Sequence, residues 1–337
     1  MTTATDTSGR KLKVALIGPG RISTAHLDAV RATSDIAELV AIAGVAEEEA
    51  RIRSLVERFS AQRAVIGAET IFADREIDAV ILTVPNHLHR PLAVHALASG
   101  KHVLVEKPLA TSVADSDAMI EAARQAGRVL MVGQCRRFFA GAQMAKARIA
   151  ELGSPLNITS IVGVYTLEPK ASWWKSAEQA GGLVFGLNAA HLIDTAVWLI
   201  GARPVRVYAD TMRFRSVWEG EDEASFIVSF DDGSSLTGRL SESMNPPQNE
   251  AWIIGPNGMM RLVDDRNLWL NGEQIHAEPI TAYLDGDVAF RAQFREFANA
   301  IRGGRVPAAS GAEVRPVSQI IEGARISAAE RRAVEIT

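Results

Sequence analysis

The first part of the chain alternates short apolar runs with segments of helical periodicity. The apolar runs are KVALIG, ELVAIAG, AVILTV, HVLVEK and VLMVGQ. The helical segments between them cover about Ala25–Thr33, Glu47–Ser60, Pro91–Ser99 and Ser112–Ala126. Strands that alternate with helices over short loops predict βαβ units and a parallel, doubly wound sheet.

The period of the pattern changes after about Gly133. A helix over about Ala142–Leu152 precedes the strand-like run LNITSIVGVYTL, and an apolar helix over Ala189–Ile200 follows it. PVRVYAD, ASFIVSF, SSLTGRL, AWIIG and GMMRLV come next, separated by turn signals such as DDG and PNG. This pattern predicts a mainly antiparallel sheet with a helix packed on it. Two helices, about Val288–Arg302 and Val314–Arg332, are expected to close the chain.

Length and composition narrow the class of protein. A chain of 337 residues is long for one core, so two domains are expected. The hydrophobic share of 47% and charged share of 23% are those of a globular protein. With a net charge of −4 and no long basic run, we expect no nucleic-acid partner.

The single cysteine and the amino-terminal residues bear on the compartment. Cys135 excludes an internal disulfide, suits a reducing cytoplasm and is expected to be an inert buried thiol. MTTATDTSGR has no apolar region of the kind found in secretion signals, and it reads as a loose tail. No apolar segment approaches the roughly 20 residues that a membrane helix needs. We therefore expect a cytoplasmic protein with no membrane partner.

A glycine-rich turn directly follows the first strand. In KVALIGPGRISTAH, Gly18 permits a tight turn and Gly20 lets the backbone approach a pyrophosphate at the start of the next helix. Ser23, a small residue, stands at the third glycine position of the dinucleotide fingerprint. The second strand ends at Gly44, where a carboxylate would hold the ribose of NAD, so NAD and NADP remain alternatives with weak discrimination expected.

The segment GKHVLVEKPLA ends an apolar strand in a carboxylate, an ammonium and a proline. Pro108 disfavours the helical region for Lys107 and so restricts its backbone. In open α/β sheets the carboxyl ends of the strands are where ligands bind. Lys107 is therefore a candidate functional residue, with a surface ion pair of Glu106 as the alternative.

In this order, the motifs GPGRIS, TVPNHLH, GKHVLVEKPLA and a histidine after paired glycines resemble the glucose–fructose oxidoreductase/inositol dehydrogenase (Gfo/Idh/MocA) family. The resemblance implies a Rossmann domain over 11–134, after a flexible tail over 1–10. It implies a substrate-binding and oligomerisation α+β domain over 135–337, with a mainly antiparallel open sheet. It also implies hydride transfer between NAD(P) and a sugar, cyclitol or related polyhydroxylated ring, in a homodimer or homotetramer formed through that sheet.

Site residues follow from the same resemblance. It implies that Lys107 and His191 are catalytic and handle the proton. The family usually has Asp or Asn four residues before this histidine, whereas this chain has Leu187, followed by Asn188 on the helical face of His191. The implied dinucleotide-binding set is Gly18, Gly20, Arg21, Ile22, Thr83, Pro85, Asn86, His89, Glu106 and Lys107.

The substrate side is less sharply defined. The candidates are Arg137, Tyr165, Trp173, Asn188 and His191. Trp173 and Trp174 could stack on a sugar ring or be buried between domains. His87, His89 and His95 are not expected to form a metal site, because no Cys or carboxylate at ligand spacing supports them.

Two other functions stay open at the level of sequence. One is a trans-dihydrodiol or other non-sugar carbonyl or alcohol dehydrogenase on the same scaffold. The other is a dinucleotide-binding regulator without turnover, which the missing acid at Leu187 keeps in view.

Overall fold

A computed structural model describes residues 10–279 and 288–336. The predicted tail at 1–10 lies, except for Arg10, outside the described residues. The helices are α1 (Ser23–Ala32), α2 (Glu49–Phe59), α3 (Glu69–Ala73), α4 (His89–Ala98), α5 (Val113–Ala126), α6 (Ala140–Arg148), α7 (Ala177–Ala180), α8 (Ala190–Ile200), α9 (Val288–Gly303) and α10 (Gly311–Glu330).

The first sheet is parallel and doubly wound, as the sequence predicts. Its strands are β1 (Leu12–Ile17), β2 (Ala37–Gly44), β3 (Arg63–Ile66), β4 (Ala79–Leu82), β5 (His102–Val105) and β6 (Leu130–Val132), in the order β3-β2-β1-β4-β5-β6. Every neighbouring pair is parallel. The order reverses between β1 and β4, and ligands bind beside such a switch point.

The second sheet is mainly antiparallel. Its strands are β7 (Asn157–Tyr165), β8 (Pro204–Met212), β9 (Glu223–Phe230), β10 (Ser235–Ser241), β11 (Ser243–Gly255), β12 (Gly258–Val263), β13 (Asn267–Leu270), β14 (Glu273–His276) and β15 (Val334–Glu335). Their order is β14-β13-β12-β11-β7-β10-β9-β8-β15. Among the described strands of this second sheet, only the central pair β7–β10 is parallel, so the predicted fold class is confirmed.

The segment Ala177–Ile200 forms an apolar helical layer on the second sheet, where α8 packs against β7 and β10. It is 24 residues long, and its most apolar window of 18 residues has a mean hydropathy of 1.6, so the prediction that no segment approaches membrane-spanning length is wrong. Within its most apolar window, 83% of the residues are buried inside the protein. Such burial is typical of a core helix in a soluble protein, because the surrounding side chains take the place of lipid.

Helix α9 packs on the first sheet although it lies near the end of the chain. Phe290, Phe294 and Phe297 are buried in the same apolar cluster as residues of β1 and α1. At its end, the Arg302 guanidinium donates to the carbonyl oxygen of Ile36 at 2.9 Å. The range 135–337 therefore contributes to the core of both sheets.

Candidate active site

A cavity of about 1030 Å³ lies between the carboxyl edge of the first sheet and the second sheet. Residues of the glycine turn, of the segments after β4 and β5, and of the helical layer all line it. The predicted site residues that border this cavity are Gly18, Gly20, Arg21, Ile22, Thr83, Pro85, Asn86, Glu106, Lys107, Trp173, Asn188 and His191.

The turn after β1 has the geometry that a dinucleotide requires. Gly18 has φ +97°, and a Cβ there would lie 2.7 Å from the carbonyl oxygen of Thr83, so only glycine fits. The Thr83 hydroxyl donates to the Gly18 carbonyl oxygen at 2.5 Å. Gly20 is exposed to the cavity where α1 begins. An open glycine beside a helix N-terminus fits a pyrophosphate, and these residues therefore fit a nicotinamide dinucleotide.

A carboxylate stands at the end of β2 after all, but it comes from Glu48. Its Oε2 accepts from the backbone N–H of Val45 at 3.1 Å and lines the cavity. A Cβ on Gly44 would lie 2.6 Å from that oxygen, so the missing side chain at Gly44 makes room for Glu48. Glu47, the acidic residue noted in the sequence, is exposed and does not border the cavity.

Lys107 follows β5 and is held at both ends. Its Nζ donates to the carbonyl oxygen of Leu187 at 2.7 Å, and its backbone N–H donates to Oε2 of Glu106 at 3.1 Å. Burial lowers the pKa of Lys107, and the charge of Arg136 lowers it further, while Glu106 opposes both. A larger fraction of this amine is therefore neutral than in an exposed lysine.

Glu106 is itself fixed by a histidine of α1. Its Oε1 is hydrogen-bonded to Nε2 of His26 at 2.8 Å. Burial alone would raise the pKa of Glu106, but His26 and Lys107 outweigh it and the pKa lies below its ordinary value. Glu106 therefore stays ionised, and its carboxylate holds the backbone of Lys107 in place.

His191 lies in the first turn of α8 and is buried. Burial lowers its pKa well below the ordinary value, and the charges of Arg136 and Lys107 act in the same direction. The imidazole is therefore neutral near pH 7, a state in which one ring nitrogen can accept a proton. Its Nδ1 has no hydrogen-bond partner in the described part of the chain.

Asn188 borders the cavity, one helical turn before His191. Its amide donates to Oε1 of Glu242 at 2.5 Å, so its side chain points toward the cleft and not into the core. Leu187 accepts from Lys107 through its backbone carbonyl oxygen, so this contact does not use the Leu187 side chain. The leucine that stands at position 187 in place of the family's Asp or Asn therefore still binds the Lys107 amine through its carbonyl oxygen.

An aromatic wall borders the cavity on the side of the second sheet. Trp173 and Trp174 are half-buried, with ring centroids 6.0 Å apart at 78°. They pack against an apolar cluster of Leu183, Leu187 and Trp218. Trp173 therefore borders the cavity and also packs on the core, and its stacking on a sugar ring stays a prediction.

His89 is buried below the site and does not line the cavity. Its ring nitrogens lie 2.8 Å from the carbonyl oxygen of Pro108 and 3.1 Å from that of Val84. Burial lowers the pKa of His89. His89 therefore holds together the loops after β4 and β5, and its ring does not reach the cavity where a dinucleotide would bind.

Arg137 and Tyr165 are also placed elsewhere than the sequence predicts. Arg137 is 2% exposed and forms a bidentate ion pair with Asp194, with a further pair to Glu313. Tyr165 is 48% exposed against Arg215, because alternate residues of a strand face opposite ways. The cavity is lined by Val164 and Thr166 instead.

The sequence did not predict the charged cavity residues Glu48, Arg136 and Glu242, nor Glu69 and Lys170. Arg136 precedes the family-matched arginine, and its Nη1 lies 3.3 Å from Asp265. Glu242 is 2% exposed between β10 and β11, and burial raises its pKa. The only local signal for Glu242 is an acidic residue inside a strand-like run, GRLSESM. Among the described residues, no group of three or more His, Cys, Asp or Glu side chains could hold a metal ion.

Two sequence profiles of known families match the chain. Residues 12–134 match the oxidoreductase family with an NAD-binding Rossmann fold, and residues 142–261 match the GFO/IDH/MocA C-terminal domain. The chain therefore belongs to the Gfo/Idh/MocA family of oxidoreductases, which confirms the resemblance.

Individual relatives match over different lengths. D-apiose dehydrogenase of Paraburkholderia graminis is 28% identical over 355 aligned positions, covering 99% of this chain and 92% of that protein. 2,7-Anhydro-N-acetylneuraminate hydratase of Escherichia coli is 29% identical over 201 residues, and the match spans 58% of this chain and only 54% of the hydratase. The structure of aldose-aldose oxidoreductase from Caulobacter crescentus complexed with glycerol is similar with a TM-score of 0.85 and 28% identity. That match covers 97% of this chain and all (100%) of the other.

Proposed function

We propose that this protein is an NAD(P)-dependent oxidoreductase that transfers a hydride between the dinucleotide and a CH–OH group of a sugar, cyclitol or related polyhydroxylated ring. The supporting observation is that Lys107, His191 and Asn188 border the same cavity as the Gly18–Gly20 turn. The likeness to D-apiose dehydrogenase over nearly the whole chain supports a polyol substrate.

The chain's own groups account for the movement of the proton. A bound nicotinamide ring supplies the site that accepts or donates the hydride. When a hydroxyl is oxidised, its proton passes to the neutral amine of Lys107 or to the neutral imidazole of His191. In the reverse direction the ammonium of Lys107 stabilises negative charge on the oxygen and returns the proton. The Leu187 carbonyl oxygen fixes the position of Nζ throughout.

Assembly, domain roles and compartment belong to the same proposal. The range 11–134 binds the dinucleotide, and 135–337 binds substrate and joins copies of the chain in a homodimer or homotetramer in the cytoplasm. Support for assembly comes from apolar side chains on the outer face of the second sheet, where Tyr208, Ile227 and Ile254 are about half exposed (46%, 51% and 45%). An apolar sheet face of this kind is typical of an interface.

The test is a panel of sugars, cyclitols, a trans-dihydrodiol and simple alcohols, each with NAD and with NADP, followed by the absorbance of the reduced nicotinamide. Turnover that requires a polyhydroxylated ring supports the proposal. Turnover confined to the dihydrodiol or to non-sugar alcohols would favour the second dehydrogenase class. Tight dinucleotide binding without any turnover would favour a regulator.

A further inference from the structure

Glu242 is held in a fixed place by its backbone. It is the single residue between β10 and β11, and its N–H donates to the carbonyl oxygen of Asp222 at 2.9 Å. Its carbonyl oxygen accepts from the N–H of Thr166, also at 2.9 Å. With the main chain anchored on both sides, the carboxyl group is directed to the cavity wall beside Asn188.

The two oxygens of this carboxyl group have different surroundings. Oε1 accepts from the Asn188 amide, and the Thr166 side chain also interacts with the carboxyl group, whereas Oε2 has no hydrogen-bond partner within residues 10–279 and 288–336. Glu223, on the neighbouring strand β9, is equally buried, but its oxygens are paired with the Ser241 hydroxyl and the Arg239 guanidinium. Buried carboxyl oxygens are normally hydrogen-bonded, so the unpaired Oε2 of Glu242 indicates that a ligand donates a hydrogen bond to it.

The position of Glu242 relates it to the reacting groups. Its charge acts on Lys107, and its partner Asn188 directly follows Leu187, whose carbonyl oxygen holds the lysine amine. The acid or amide usual for the family is missing at Leu187 itself. A carboxyl group from the second sheet thus stands beside the helix that lacks one.

We propose that Glu242 is a substrate-binding residue, whose carboxyl group accepts a hydrogen bond from a second hydroxyl of the substrate, adjacent to the one that reacts at Lys107. This deepens the proposed function and rests on it. Because the Asn188 amide is committed to Glu242, its Oδ1 remains as a further acceptor beside the same position. The substrate class that fits this pair carries two neighbouring free hydroxyls.

The experiment combines changes in the enzyme with changes in the substrate. Glu242→Ala, Glu242→Gln and the matched control Glu223→Gln are compared with the wild type for kcat and KM. The substrates are the best polyol of the panel and each of its mono-deoxy analogues. The dissociation constant of NADH and the thermal midpoint are measured in parallel, so that damage to the fold is seen directly.

We expect Glu242→Ala to lower kcat/KM for the parent polyol about 10- to 100-fold, the usual effect of one hydrogen bond to a charged group. NADH affinity should change less than about twofold, because Glu242 does not touch the glycine turn. One deoxy analogue should be poor for the wild type and no poorer for Glu242→Ala. Glu242→Gln keeps an acceptor oxygen, so its kcat/KM for the parent polyol should fall between those of the wild type and Glu242→Ala. Glu223→Gln should have the kcat/KM of the wild type.

Equal losses with the parent and with every deoxy analogue would overturn the proposal, since a structural role lowers all substrates alike. Unchanged kcat/KM in Glu242→Ala would also overturn it, while leaving the proposed oxidoreductase intact. If the wild type binds NADH but neither turns over nor binds any polyol by calorimetry, the proposed function and this inference both fail.

Discussion

The chemistry of Lys107 depends on neighbours that the motif around it does not contain. Leu187 fixes its amine and Glu106 fixes its backbone, while burial and Arg136 lower its pKa. A lysine on a surface loop would stay charged and mobile. Here the same side chain is held in place, and its lowered pKa lets it release a proton more readily than an exposed lysine does.

Lys107→Met should lower kcat about 10²–10⁴-fold, the range for loss of a general acid–base group. The dissociation constant for the dinucleotide should stay nearly unchanged, because Gly18 and Gly20 form the pyrophosphate site. Steady-state kinetics and titration with NADH measure the two effects. Lys175→Met, at an exposed lysine outside the cavity, is the control. Wild-type turnover in Lys107→Met would remove this lysine from the mechanism.

The lowered pKa of Lys107 also gives a direction for pH dependence. With the neutral amine of Lys107 as the acceptor of the hydroxyl proton, the oxidation rate should rise with pH through that pKa and fall below it, whereas a proton passed to His191 would not give this rise. Lys107→Arg cannot lose its charge in this range and should lose that rise. The pH profile of kcat/KM measures this, and an identical profile in Lys107→Arg would contradict it.

Glu48 should set the preference between the two dinucleotides. Its carboxylate lies at the end of β2, where it would hold a ribose hydroxyl and repel a 2′-phosphate. In place of the weak discrimination expected from Gly44 alone, NAD should bind better than NADP, and Glu48→Gln should reduce the ratio about tenfold or more, or ~1.4 kcal/mol. Calorimetry with both dinucleotides measures the ratio, and Glu47→Gln is the neighbouring control.

The same geometry determines the result expected for a substitution at Gly44. An Asp there would meet Oε2 of Glu48 and the ring of Pro19, at 2.6 and 2.8 Å from its Cβ. Gly44→Asp should therefore weaken binding of both dinucleotides instead of favouring NAD. An unchanged or improved NAD affinity in this variant would show that Glu48 moves aside.

Residues inside local motifs could be predicted from the sequence, and residues that meet across the fold could not. Gly18 and Lys107 are marked by their own neighbours in the chain, a glycine turn and a proline. Glu242 reaches the site only because β10 and β11 meet beside Asn188, some 54 positions earlier in the chain. Arg137 shows the converse, since its place in a motif did not reveal the buried carboxylate of Asp194.

At the level of elements, the periodicity of the sequence predicted the long helices that have a buried face. The helices α5, α8, α9 and α10 lie close to their predicted bounds because each has a continuous apolar face. The strands β3, β13, β14 and β15 were missed. They are short, and in β3 only Val65 is buried, so no alternation of apolar and polar residues could be recognised.

Three elements meet at Arg137, and their stability should depend on it. The guanidinium links the segment after β6 to α8 through Asp194 and to α10 through Glu313. Burial alone would lower the pKa of Arg137, but these carboxylates outweigh it and raise it. The side chain is therefore a structural cation.

Arg137→Met should destabilise the fold by about 3–5 kcal/mol, because it leaves Asp194 buried without its partner. Arg315→Met breaks the more exposed pair with Asp117 and should cost less than about 1 kcal/mol. Urea denaturation of both variants provides the comparison. A loss of substrate affinity in Arg137→Met without any loss of stability would restore the substrate-contact hypothesis.

For the whole molecule, the outer face of the second sheet is the expected interface. Ile227 lies directly opposite Tyr208 on the neighbouring strand, and Ile254 lies opposite Met259, so exposed apolar side chains occur in adjacent pairs. Ile227→Glu should shift the protein to a smaller species in light scattering after size exclusion. Val306→Glu, at a residue 75% exposed away from this sheet, should leave the mass unchanged. A wild-type monomer would contradict the proposed assembly.

The return of α9 to the first sheet has a consequence for how this protein can be cut and recombined. Phe290, Phe294 and Phe297 complete the apolar core around α1 from a segment more than a hundred residues beyond the second sheet's first strand. A fragment ending near residue 134 would leave that surface open to water. A chimaera that exchanges the substrate half with a relative must therefore carry a matching α9. The sequences of the two domains can therefore change independently only where they keep the apolar contact between α1 and α9.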